Sequence, residues 1–142
     1  MVIRAADLNK MVSFYLKVIG CTIDRRRDEL GLVHLRVGKN LIDLISVEGE
    51  LGRKGGGPPV RDGRNMDHLC LRIEAFDERE LRSHFEAHGI SASEVYSNYG
   101  AEGDGPSIYI NDPEGNLIEL KGPPTPKASG QPWTVPGHNP QL

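Results

Sequence analysis

Asn40-Leu41-Ile42-Asp43-Leu44 returns near the end of the chain as Asn116-Leu117-Ile118-Glu119-Leu120, with one acid replacing the other at the fourth place. Val2-Ile3-Arg4 has a counterpart in Cys70-Leu71-Arg72. The two matches occur in the same order with the same kinds of segment between them. They therefore mark an internal repeat and not a coincidence of short apolar strings. In the first copy, Leu8, Met11, Val12, Tyr15, Leu16 and Ile19 form one apolar stripe at helical spacing. This predicts a helix over 7–19, capped by Asp7 and stopped by Gly20. Residues 32–37 and 41–47 read as the strands of a hairpin around Gly38-Lys39-Asn40. In the second copy, 67–73 reads as a strand. A helix is expected over 78–88, with Leu81, Phe85 and His88 on one face and Gly89 as its stop. Residues 107–111 and 116–120 read as strands joined by Asp112-Pro113-Glu114-Gly115, with Pro and Gly where a β-turn favours them. Each copy is thus a β-α-β-β(-β) unit, and the fold class is α+β.

The chain has 142 residues, enough for one domain of two small repeats whose core needs no disulfide staple. Hydrophobic residues make up 37% of it, and with 17 glycines the composition is that of a globular chain, which excludes disorder over the whole length. A net charge of −3 offers no footprint for a nucleic-acid backbone. No apolar run approaches the ~18 residues of a membrane span. Met1-Val2-Ile3-Arg4 enters the structured pattern without a signal peptide's apolar stretch, so a cytoplasmic protein is expected. Cys21 and Cys70 cannot make a disulfide framework and read as reduced thiols, with one bridge between them left open.

Residues 49–65 contain six glycines and Pro58-Pro59. No packed element is expected there, only a linker or mobile lid between modules 1–48 and 66–121 of a domain over 1–121. Residues 122–142 hold six of the ten prolines and read as an irregular tail.

Strand side chains alternate between faces. Leu69, Leu71 and Ile73 oppose His68, Cys70 and Arg72; Val33, Leu35 and Val37 oppose Leu32, His34 and Arg36; Ile108 and Ile110 oppose Ser107, Tyr109 and Asn111; Ile118 and Leu120 oppose Leu117 and Glu119. Asp43 shares a face with Leu41 and Ile45. One face is aliphatic and can take the helices, while the other carries the chemistry. His68, Asp43 and Glu119 on one concave face make a candidate divalent-metal site. Glu119, a carboxylate amid Leu117, Ile118 and Leu120, is also the candidate catalytic base. His34, Arg36, Cys70, Arg72, Tyr109 and Ser107 are candidates to face a substrate. The helix residues His84 and His88, the run Arg25-Arg26-Arg27 (a solvated strand or loop) and the tail residue His138 are assigned no function.

These residues carry a resemblance. Asp7 to Gly20, with Phe14-Tyr15 and then Ile19-Gly20, resembles the first-helix signature of the vicinal oxygen chelate superfamily, the group of glyoxalases, bleomycin-resistance proteins and extradiol dioxygenases. Asp67-His68-Leu69-Cys70-Leu71 resembles its second-half strand, and Asp112-Pro113-Glu114-Gly115-Asn116-Leu117-Ile118-Glu119-Leu120 closely resembles its C-terminal motif. The resemblance implies two βαβββ modules forming a curved mixed sheet around a cleft, with helices on the outer face. It places His68, Glu119 and Asp43 at three of the four family ligand positions. The fourth, on the first strand, aligns through the repeat to a place before Met1 and falls on no residue of this sequence.

The activity implied is a glyoxalase-like, metal-dependent lyase or isomerase acting on a small substrate with vicinal oxygens. The alternatives are a ring-cleaving dioxygenase and a metal-free, bleomycin-type binder. The binder would need aromatic walls, and aromatic residues are only 6% of the chain. The donor set suits Ni, Zn, Co, Mn or Fe alike. A homodimer is expected, with a small molecule as the other partner.

Overall fold

Strand β1 (Val2–Ala5) runs parallel to β4 (Asn40–Ser46), pairing Val2 with Asp43 and Ile3 with Leu44. Strand β5 (His68–Arg72) runs parallel to β8 (Leu117–Lys121), pairing Cys70 with Glu119 and Leu71 with Leu120. The two registers superpose Val2-Ile3-Arg4 on Cys70-Leu71-Arg72 once Asp43 is laid on Glu119, the alignment the repeat requires. The structure is a computed structural model and describes residues 1–60 and 62–126.

Each module is a four-stranded mixed sheet with one helix. The first has strand order β1-β4-β3-β2, with β2 (Thr22–Arg27), β3 (Leu32–Val37) and helix α1 (Leu8–Lys17). The second has order β5-β8-β7-β6, with β6 (Tyr96–Gly100), β7 (Gly103–Asn111) and helix α2 (Glu78–Ala87). The fourth strand that the sequence left optional is therefore present in both. Arg25, Arg26 and Arg27 lie on β2, an edge strand of the first sheet.

Asp7 caps α1 by accepting from Lys10 N, and Asp77 caps α2 by accepting from Glu80 N. Both helices stop short of their expected ends. In α2 the chain turns at Gly89 (φ 68°), Ile90 N bonds back to the Phe85 carbonyl, and His88 becomes an exposed cap instead of part of the apolar face.

The aliphatic faces of both sheets and the apolar sides of both helices form one core. Met11, Tyr15, Val33, Leu35, Ile42 and Leu44 join Phe85, Ile108, Ile110 and Ile118 there. Because side chains alternate, the polar faces of both sheets point away from this shared core. Polar contacts also tie the modules: Tyr15 Oη donates to Asp112 Oδ2 (3.3 Å), Asp7 N donates to Glu114 Oε1 (2.8 Å), and His84 Nε2 meets the Val18 carbonyl (2.9 Å).

The glycine-rich segment corrects an expectation. Residues 52–55 form a 3-10 turn in which Gly52 is buried. Arg4 reaches over from β1, donating from Nε to the Gly52 carbonyl (3.2 Å) and from one terminal nitrogen to Gly56 (2.5 Å) and Gly57 (2.9 Å). Further on, Arg64 donates to the Asn116 side chain and the Glu114 carbonyl, both at 2.6 Å. Composition alone showed no core for this stretch; Arg4 supplies donors to three of its carbonyls, and its own Arg64 ties it to the turn before β8. The start of the tail is also held, by Gly122 N on Pro106 O (2.8 Å) and Thr125 N on Asp104 O (2.7 Å). The rest of the tail, including Trp133 and His138, lies outside the described residues. Among the described residues no helix is long and apolar enough to cross a membrane.

Candidate functional site

The polar face of the second sheet gathers the chemistry. Glu119, 5% exposed, projects from the middle of β8 between Cys70 on β5 and Tyr109 on β7. Its Oε1 accepts a 2.5 Å hydrogen bond from Ser107 Oγ and a longer one, 3.5 Å, from Asn98 Nδ2. Its Oε2 lies 3.1 Å from His68 Nε2. The other ring nitrogen, Nδ1, is 2.6 Å from Asp67 Oδ2. The Tyr109 ring stands edge-on to that of His68 at 5.9 Å, and its hydroxyl accepts from Asn98 (2.7 Å).

Burial pushes the Glu119 carboxyl up. The hydrogen bonds from Ser107, Cys70 and Asn98 and the charge of His68 outweigh it and hold the group below the usual carboxylate range. At neutral pH Glu119 is therefore a carboxylate, fit to hold a cation. Burial and then the Glu119 charge push the Tyr109 hydroxyl up to about 12.

Cys21 and Cys70 are both free. Cys70 is exposed as a residue, yet its sulfur is drawn against Glu119. Lost solvation there, then the hydrogen bond to Glu119 and its charge, push the thiol from 9.0 up to about 11. Burial takes Cys21 to about 11 as well. Reaction of Cys70 with a disulfide reagent is expected to be slow at pH 8 and to climb steeply toward pH 11, because the thiolate is the reacting form. Both thiols favour the fold while neutral, so their contribution is complete below pH 9 and is lost as pH rises toward 11. Melting temperatures recorded across that range should fall. A flat profile, or prompt modification of Cys70 at pH 8, would contradict this.

His68, Cys70, Arg72, Glu102, Glu119 and Lys121 line a cavity of about 610 Å³, the size of a small-molecule site. Of the residues picked out from sequence, His68 and Glu119 meet as expected, and Cys70 and Arg72 face the cavity. Ser107 does not face a substrate: it is fully buried and orients Glu119. Tyr109 backs His68. The first-module residues stand apart. His34 Nδ1 pairs with Asp43 Oδ1 at 2.7 Å, and Arg36 pairs with Asp24 at 2.7 Å. Asp43 is not brought to His68 and Glu119, because each polar face turns away from the common core. Among the described residues no group of three or more His, Cys, Asp and Glu is placed to hold a metal ion. Three participants were missed. Asp67 was read only as the start of a strand, Asn98 sits on an unrecognised strand, and Lys121 continues the alternation of Leu117 and Glu119 one step past the expected strand end.

The donor set fits part of a divalent-metal shell. An imidazole whose far nitrogen is held by a carboxylate is the usual support for a metal-ligating His, and His68 has it from Asp67. Glu119 supplies an ionised oxygen beside it. The second module thus places two side chains that could hold a metal on one wall of the cavity.

Paired βαβββ modules define a class of protein, the glyoxalase-type α+β folds. The chain belongs to the Glyoxalase/Bleomycin resistance protein/Dioxygenase superfamily, whose family model matches residues 1–120. It is 30% identical over 122 residues to the virulence protein STM3117 of Salmonella typhimurium, covering 84% of this chain and 79% of that protein. Among solved structures it is similar to an integron cassette protein from the mobile metagenome of V. cholerae (25% identity, TM-score 0.64, 85% of this chain and 90% of that one). The fold is also that of a lactoylglutathione lyase from Agrobacterium tumefaciens (21% identity, TM-score 0.61, 86% and 90% covered). It is shared as well by the fosfomycin resistance protein FosX of Listeria monocytogenes (19% identity, TM-score 0.63, 84% and 85% covered).

Proposed function

We propose that this protein is a metal-dependent lyase or isomerase acting on a small substrate with neighbouring oxygens. The observation that carries the reading is the 3.1 Å approach of His68 Nε2 to Glu119 Oε2, with Asp67 holding the other ring nitrogen. A divalent ion held by these two residues would supply Lewis-acid stabilisation of charge developing on a substrate oxygen. Asp67 fixes the His68 tautomer and ring orientation. Ser107 and Asn98 hold the Glu119 carboxylate in place and keep it ionised. Those same hydrogen bonds weaken Glu119 as a base, and a bound cation would weaken it further, so it takes up a proton well only when substrate binding loosens them. Superfamily membership and the fold shared with a lactoylglutathione lyase support this chemistry. The outward-facing polar faces support a homodimer in which a second copy completes the cleft and brings further ligands.

The test is metal uptake after chelation and reloading, read as bound ion per chain, with the mass in solution measured by light scattering on the same sample. The wild type is expected to bind a divalent ion as a dimer. Glu119→Gln keeps the shape, removes the charge, and should weaken binding by at least about tenfold. A wild type that takes up no divalent ion would replace this reading with a metal-free binding protein, and a monomer would remove the shared cleft.

A further inference from the structure

Lys121 ends β8 on the polar face, one strand step beyond Glu119, and it is a charge the site leaves without a counter-ion. It is 6% exposed. Its ammonium donates to the carbonyl oxygens of Asn98 (2.5 Å) and Gly105 (3.3 Å), and it forms no ion pair with a carboxylate among the described residues. The charges around it are engaged: Arg72 with Glu102 at 2.5 Å, and Glu119 with Ser107 and His68. An ammonium carries three donors, and two are used. A cation this buried is costly unless something of opposite charge joins it.

The surroundings are shaped around this side chain. A Cβ on Gly100 would stand 2.5 Å from Lys121 Cε and 2.9 Å from Cδ, so the bare glycine on β6 is what lets the lysine lie across that strand. Arg72 is its register partner on β5, just as Cys70 is that of Glu119. A rung with two cations therefore adjoins the rung of Glu119, and both line the same cavity.

We propose that Lys121, with Arg72 beside it, binds an anionic group of the ligand, so that the site takes a small organic anion. The group is a carboxylate or a phosphoryl oxyanion, accepting the free ammonium donor, while the other end of the molecule lies at His68 and Glu119. Adjacent same-face positions on a strand are roughly 7 Å apart, which sets the length of such a ligand at a few bonds. A neutral analogue leaves the ammonium unpaired and is rejected for that reason. The inference rests on reading the cavity as the binding site, but it does not need the metal.

Thermal melting of the chelator-treated full chain tests it, at constant ionic strength, with methylphosphonate, lactate and the neutral lactamide as probes. At least one of the two anions should raise the melting temperature saturably, and lactamide should not. Which anion does so separates the phosphoryl from the carboxylate form. Lys121→Met keeps the length of the side chain, removes the ammonium, and should weaken the anion effect at least about tenfold. Gly100→Ala displaces the lysine without removing it and should weaken the effect too, so it serves as the test if Lys121→Met does not fold. The proposal is overturned if neither anion stabilises the wild type, if lactamide does so equally, or if the variant that folds keeps the full response. Because metal is absent throughout, a failure here leaves the uptake experiment standing, and a failure of metal uptake leaves this result standing.

Discussion

Asp112→Ala is expected to destabilise the fold by about 3 kcal/mol or more, a drop of roughly 10 °C in melting temperature for a chain of this size. Asp112 is 4% exposed. Its Oδ1 accepts from Glu114 N and Asn116 N, both at 2.9 Å, and its Oδ2 accepts from the Asn116 side chain (2.7 Å) and Tyr15 Oη (3.3 Å). Alanine leaves all four donors without this acceptor, and Tyr15 is wholly buried, so water cannot substitute there. Burial, then the charge and hydrogen bond of Asp112, drive the Tyr15 hydroxyl well above its ordinary pKa and keep it protonated. Tyr15→Phe is the control: it removes one bond of the four and should cost about 1 kcal/mol. Denaturant midpoints for the two variants measure the difference. Equal losses would show that the turn around Asp112 contributes little beyond its link to Tyr15.

Gly52→Ala should cost about 1–3 kcal/mol, a large effect for one methyl group. The added Cβ would overlap the Ser46 carbonyl oxygen and stand 2.7 Å from the Ser46 carbonyl carbon and 2.9 Å from Val47 Cα. All three atoms are backbone at the end of β4, which is held in the sheet and cannot step aside as a flexible side chain would. Gly57→Ala, only five positions on, meets nothing within 4 Å and should change stability by less than about 0.5 kcal/mol. Urea midpoints for the pair are the measurement. If both variants unfold together with the wild type, the glycine-rich segment is a loose linker after all.

Much of the architecture was legible because it rests on periodicity and repetition. The pentapeptides around Asp43 and Glu119 occupy equivalent strands, the apolar stripe of α1 enters the core, and Asp7 caps its helix. His68 and Glu119 were placed on one face by alternation alone, and they touch. Harder to see were the edge strands β2 and β6. Their residues are mostly exposed, so no apolar alternation announces them. With β6 hidden, Asn98 and the approach of Lys121 to its backbone were hidden too. The motif around Asp112 marked the family clearly. Its first residue works as a structural keystone, tying the turn to α1 of the other module.

Local pattern by itself determined which residues share a face, which acids are equivalent, and that two like units make up the chain. These follow from the two-residue period of a strand and the spacing of a helix, and they do not depend on what lies opposite. The tertiary structure alone decided how the two units meet. Their aliphatic faces and helices fuse into one core, because that removes the most apolar surface from water. The polar faces are thereby turned outward, and Asp43 is left with His34, away from Glu119. Ser107, on the outward face, is nonetheless fully buried and serves as a support for Glu119. Lys121 on that face is buried as well, its ammonium met by the carbonyls of Asn98 and Gly105.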